Sequence, residues 1–102
     1  MKKPIVDHAE VCIDFPDKMF HGSFGRGGSY EAHADEFGAH ISLSRTDGEK
    51  RDVAFHLQYY LLGDILLDLA ADIEARKLID DAHREYLQEA ATRLRHALRK
   101  RR

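Results

Sequence analysis

A change of period constrains this chain more than any other feature. From Ala9 to Phe55 apolar residues fall at every second position, and beyond Phe55 they fall at every third or fourth. A period of two belongs to strands with one buried face, and a period near 3.6 to helices with one apolar stripe. The alternating sets are Ala9, Val11, Ile13 and Phe15; Phe20, Gly22 and Phe24; Tyr30, Ala32 and Ala34; Ala39, Ile41 and Leu43; and Val53 and Phe55. Turn-forming runs separate them: Pro16-Asp17, Gly25-Arg26-Gly27-Gly28, Asp35-Glu36-Phe37-Gly38 and Thr46-Asp47-Gly48. Connections this short join antiparallel neighbours, because a parallel crossover needs roughly a dozen residues or more. The pattern predicts a five-stranded antiparallel β-meander over about residues 9–55.

The second half reads as two amphipathic helices, over about residues 56–76 and 80–99. Tyr59, Leu62, Leu66, Leu69 and Ile73, with Ile65 beside them, form one apolar stripe, and Asp64, Asp68 and Asp72 form a polar face. A second flank holds Tyr60, Gly63, Leu67 and Ala70; glycine inside a helix costs about 1 kcal/mol relative to alanine, so Gly63 predicts a close neighbour. The stripe fails at Arg76, Lys77 and Asp80, and a new one starts through Ile79, Ala82, Tyr86, Ala90, Leu94 and Ala97. That phase shift predicts a break near 76–81, with Asp80 or Asp81 capping the second helix. Sheet followed by helices is an α+β domain, with the first helix on one sheet face. Two such helices carry more apolar stripe than one small sheet absorbs, which predicts a homodimer formed through them.

Composition bounds the function classes. At 102 residues with 43% hydrophobic and 33% charged residues, the chain has enough apolar material for a single domain over 1–102. A lone cysteine, Cys12, excludes a disulfide framework. No apolar run approaches the roughly 18 residues of a membrane span, and no apolar stretch of secretory length follows Lys2 and Lys3, so a cytoplasmic location is expected. The net charge of −2 hides a gradient: residues 1–81 sum to −7 and residues 82–102 to +5. The basic tail Arg99, Lys100, Arg101 and Arg102 complements a helix C-terminus, and is the one segment suited to nucleic acid or an acidic partner.

Register turns the polar face into a constellation, since a one-residue slip would invert every side chain. Pairing Phe15 with Lys18 sets Cys12 beside His21. Pairing Phe24 with Tyr30 sets His21 beside His33, and pairing Ala34 with Ala39 sets His33 beside His40. A type I turn at Thr46-Asp47-Gly48, with Gly48 left-handed, pairs Ile41 with Val53 and Ala39 with Phe55. Cys12, His21, His33 and His40 would then line four adjacent strands, flanked by Glu31, Asp35 and Ser42. Imidazole, thiolate and carboxylate are ligands of zinc-like divalent metals. Strands about 4.8 Å apart let neighbouring imidazoles share an ion, but the full row is too long for one. The most economical set is His21, His33 and His40, completed by Glu31 or Asp35. The same row also reads as an ordinary solvated face, or as a surface covered by a partner.

Other features point elsewhere. The glycine loop precedes a strand rather than a helix, so it is a hairpin loop and not a phosphate cradle. His56 is expected as a cap or turn residue at the strand-to-helix junction, and His83 and His96 as solvent-facing. The aromatics fall on the core face and the outer face is acidic, unlike a single-strand nucleic-acid platform. The leading expectation is a non-enzymatic interaction or regulatory module that dimerises through its helices, around Tyr60, Gly63, Leu67 and Tyr86. The alternatives are a metal sensor or metal-dependent enzyme using the histidine row, and an adaptor acting through the basic tail.

Overall fold

Antiparallel strands followed by two helices make the architecture α+β, as the two periods predict. A computed structural model describes residues 1–46 and 48–100. The strands are β1 (Lys3–Pro4), β2 (Ala9–Asp14), β3 (Met19–Phe24), β4 (Gly28–Ala34), β5 (Gly38–Arg45) and β6 (Arg51–Gln58). The helices are α1 (Tyr59–Arg76) and α2 (Asp81–Ala97). The chain divides into two units, Met1–Asp64 and Ile65–Arg102.

The expected five-stranded meander is split within the first unit. One sheet has the order β1-β4-β5-β6, and β2 pairs only with β3. The predicted pairing of β3 with β4 does not form. Its place is taken by β1, with Lys3 opposite Tyr30 and Pro4 opposite Ser29. The Ile5 amide continues this edge by donating to the Gly28 carbonyl at 3.1 Å. Two residues are too few to show an alternation, and proline suits an edge where one ladder bond is not needed. The segment Gly25–Gly28 therefore acts as a corner, closed by the Gly28 amide donating to the Gly25 carbonyl at 2.9 Å, with Gly27 at φ 90°.

The hairpin β2–β3 meets the larger sheet through side chains instead of a ladder. The Arg45 guanidinium donates to the Ser23 carbonyl at 3.1 Å, and the Arg51 guanidinium lies 4.9 Å from the Phe20 ring centre. Phe24 at the end of β3 is fully buried, alone among the large side chains of the described residues. Tyr30 and Phe55, on the apolar face of the larger sheet, stay 38% and 44% exposed, so that face is only partly covered.

Within the β2–β3 and β4–β5 hairpins the predicted register is observed for Val11 with Gly22, Cys12 with His21, Ile13 with Phe20, His33 with His40 and Ala34 with Ala39. The β5–β6 register differs by two residues: Ile41 faces Phe55 and Ala39 faces Leu57. Arg45 pairs with Arg51, which leaves a longer loop than the three-residue turn expected. Asp47 of that turn lies outside the described residues; Gly48 is left-handed as expected, at φ 74°. A shift of two keeps every side chain on its predicted face. β6 also runs on to Gln58, so α1 begins at Tyr59 instead of residue 56.

Gly38 opens β5 against β6 at close range. A Cβ there would run into the Leu57 carbonyl oxygen and lie 2.9 Å from Gln58 Cα, both backbone atoms that cannot swing aside. Overpacking of this kind costs about 1–3 kcal/mol. Gly38→Ala is expected to lower the melting temperature by about 10 °C in a thermal unfolding scan; an unchanged midpoint would show that the two strands separate here at no cost.

The break between the helices falls where the phase shift places it. Lys77, at φ 49°, ends α1, and its amide still donates to the Ile73 carbonyl at 2.9 Å. Asp80 is the N-cap of α2, its carboxylate accepting from the His83 amide at 2.9 Å. That bond and the His83 ring hold the Asp80 carboxyl below its ordinary value of 3.8. A depressed folded value means the cap is complete above 3.8 and is lost as the pH falls through the lower folded value. Circular dichroism should show the helix of wild type weakening more than that of Asp80→Asn between about pH 5 and pH 2, because asparagine caps without titrating. Parallel curves for the two proteins would remove Asp80 as the acid-sensitive cap.

Candidate functional site

The three strands β4, β5 and β6 carry one histidine each at matched positions. His33 is opposite His40, and His40 is opposite His56. Cross-strand neighbours project from the same face at the inter-strand spacing. The imidazoles accordingly stack, with ring centres 4.7 Å apart for His33 and His40 and 4.1 Å for His40 and His56. Their planes are within 8° and 6° of parallel. His56 is thus a strand residue and not the cap or turn residue expected. The signal was present in the sequence: Val53, Phe55 and Leu57 continue the alternation by one more step, which puts His56 on the polar face.

Asp35 sits in the turn between β4 and β5 and closes the row. Its Oδ1 accepts from the Phe37 amide at 2.8 Å and the Gly38 amide at 3.0 Å. This leaves Oδ2 facing His40, whose Nε2 lies 2.7 Å away. The Phe37 amide first, and then the His40 side chain, pull the Asp35 carboxyl down to about 2. As a carboxylate it can only accept, so His40 donates through Nε2–H. The Tyr59 hydroxyl at the start of α1 donates to the Asp35 carbonyl at 2.5 Å, which ties the same turn down from another side.

Asp35, His40 and His56 each offer a donor atom, and the three atoms lie within 4.8 Å of one another. His40 and His56 border a shallow recess of about 300 Å³ whose lining includes Glu31, His33 and Ser42. Glu31 is engaged elsewhere: the Met1 ammonium lies 2.6 Å from its Oε2 and lowers its pKa. His33 stacks on His40 but stands outside the three-donor group.

Of the expected row, His33, His40 and Asp35 come together, while His21 and Cys12 do not join them. Those two are register partners in the separate β2–β3 sheet, and His21 lies 3.8 Å from Glu10. The continuous four-strand row fails because it required the β3–β4 ladder that β1 displaces. His83 is not merely solvent-facing, since its Nδ1 lies 2.7 Å from the capping Asp80.

The helix residues expected at a partner surface are exposed. Tyr60, Leu67 and Tyr86 are 95%, 70% and 75% accessible, and a Cβ at Gly63 would meet nothing within 4 Å. The close neighbour that Gly63 predicts is therefore not supplied by the described residues. Within Ile65–Arg102 the helices border an open groove of about 670 Å³, with Ala70 and Ile73 on α1 and Leu87 and Ala91 on α2. Tyr86 is not part of it. The spacing of Leu87, Ala91, Leu94 and Leu98 is helical and would have marked this face in the sequence. Arg99 and Lys100 of the basic tail follow α2, and Arg101 and Arg102 lie outside the described residues. Among the described residues no helix is long and apolar enough to cross a membrane. Compared with known proteins, the chain matches no family model, no curated protein and no solved structure.

Proposed function

We propose that this chain is a small interaction module that pairs with a second copy of itself through its helices. One observation carries the reading: α1 and α2 both have apolar stripes, and neither helix has a buried residue. Leu66, Leu69, Ile73, Leu87 and Leu94 are between 42% and 53% exposed, so each is half-way to the burial that would stabilise it.

Completing that burial contributes about 1 kcal/mol for each residue. Over two copies the gain is on the order of 10 kcal/mol, against an association cost of about 4–15 kcal/mol. The two are of the same size, so these few side chains decide whether the pair holds. A second copy also supplies a stripe of matching chemistry, and a two-fold pair lets each helix give and receive the same contacts.

Sedimentation equilibrium between about 1 and 100 µM is expected to give a dimer mass for the wild-type chain. Ile73→Asp and Leu87→Asp, each placing a charge in the groove, should sediment as monomers while keeping the helical circular dichroism signal. A wild-type monomer at the top concentration would overturn the proposal, as would an Ile73→Asp protein that still dimerises.

A further inference from the structure

We propose that Asp35, His40 and His56 form a site for one divalent first-row transition ion of the zinc type. The site lies within Met1–Asp64 and uses none of the groove residues, so it stands whether or not two copies pair.

The donor set comes first. Two imidazoles and one carboxylate are a recurrent set for zinc and its neighbours in the first row, and such sets leave coordination positions open to water or a ligand. Here the two imidazoles are direct register partners on adjacent strands, so the sheet fixes their spacing without help from a loop. The carboxylate comes from the turn that leads into the strand carrying His40. His40 and His56 belong to a face that the strand alternation turns away from the apolar side chains, and Asp35 reaches His40 from the turn at its edge.

Orientation comes second. Metal ligands are effective when their other atoms are held by neighbours that fix the ligand's direction. Asp35 meets this condition: two backbone amides occupy Oδ1, and Oδ2 is the atom turned toward His40. The turn itself is braced by Tyr59 on its carbonyl and by the backbone contact that Gly38 permits against Leu57. The carboxylate is ionised throughout the physiological range, consistent with a pKa near 2.

Geometry sets what binding requires. At zinc–nitrogen and zinc–oxygen lengths of about 2.0–2.2 Å, tetrahedral ligand atoms stand roughly 3.3 Å apart. His40 Nε2 and Asp35 Oδ2, now 2.7 Å apart, open by about 0.6 Å, and the His56 donor, within 4.8 Å, closes by about 1.5 Å at most, distances that rotation of partly exposed side chains covers. The ion takes the position now held by the proton between His40 Nε2 and Asp35 Oδ2. That proton leaves Nε2 and, through solvent, a proton is taken up at Nδ1, so His40 remains a neutral imidazole. The His40–His56 stack opens as both rings turn toward the ion, while His33 keeps its place at the edge.

The test uses the full chain without a purification tag, freed of metal by chelator and titrated with zinc chloride in a calorimeter. One zinc per chain is expected, with His56→Gln and Asp35→Asn each weakening binding by about 10-fold or more and His83→Gln leaving it unchanged. Proton–nitrogen NMR of the imidazoles adds a readout that does not depend on stability: the His40 and His56 resonances should move together in one-to-one proportion to zinc. No stoichiometric uptake would overturn the proposal. So would equal zinc affinity in wild type and His56→Gln, or zinc-dependent shifts at His21, His83 or His96 in place of His40 and His56.

Discussion

The register of β4, β5 and β6 is the constraint from which the candidate site follows. Backbone ladders hold these strands at a fixed spacing, and side-chain direction alternates strictly along each one. His33, His40 and His56 meet because they occupy matched cross-strand positions on one face, not because any attraction among them gathers them. Gly38 permits the last step of the β5–β6 ladder, since any side chain there would strike the backbone of β6. Asp35 then uses the amides of Phe37 and Gly38 to turn its free oxygen toward His40. One glycine and one aspartate thus connect the sheet's geometry to the chemistry of its polar face.

Packing of the chain is thin by comparison. Phe24 is fully buried at the corner where the β2–β3 hairpin leaves the larger sheet, and the hairpin is held by Arg45 on the Ser23 carbonyl and Arg51 over Phe20. The helices have stripes but no buried residues. Stability of a small domain is a narrow difference between burial and chain entropy, so apolar stripes left open are a demand for further contact. The proposed pairing answers that demand in the helical unit, and the proposed ion would add cross-strand ties to the sheet.

Much of this was legible in the residues themselves. Alternation marked five of the six strands, three of the four turn runs marked hairpins, and the phase shift after Ile73 marked the break that Asp80 caps. The pairings of Cys12 with His21 and His33 with His40 also follow from matching apolar faces across short turns. His56 was within reach as well, because Leu57 extends the alternation past Phe55. The groove face of α2 was similarly readable from Leu87, Ala91, Leu94 and Leu98. In both cases a neighbouring, weaker stripe or an early helix start masks the better pattern.

Local period and turn chemistry are enough to set the face each strand residue takes and the point where strand gives way to helix. Which strands lie side by side is settled by long-range packing instead. A free edge on β4 can accept either β3 across the glycine corner or the short β1 segment, and nothing in local pattern ranks the two. That choice removed His21 from the row. The length of the loop after β5 brought His56 opposite His40, for the physical reason that ladder register is set by how much chain the connection consumes.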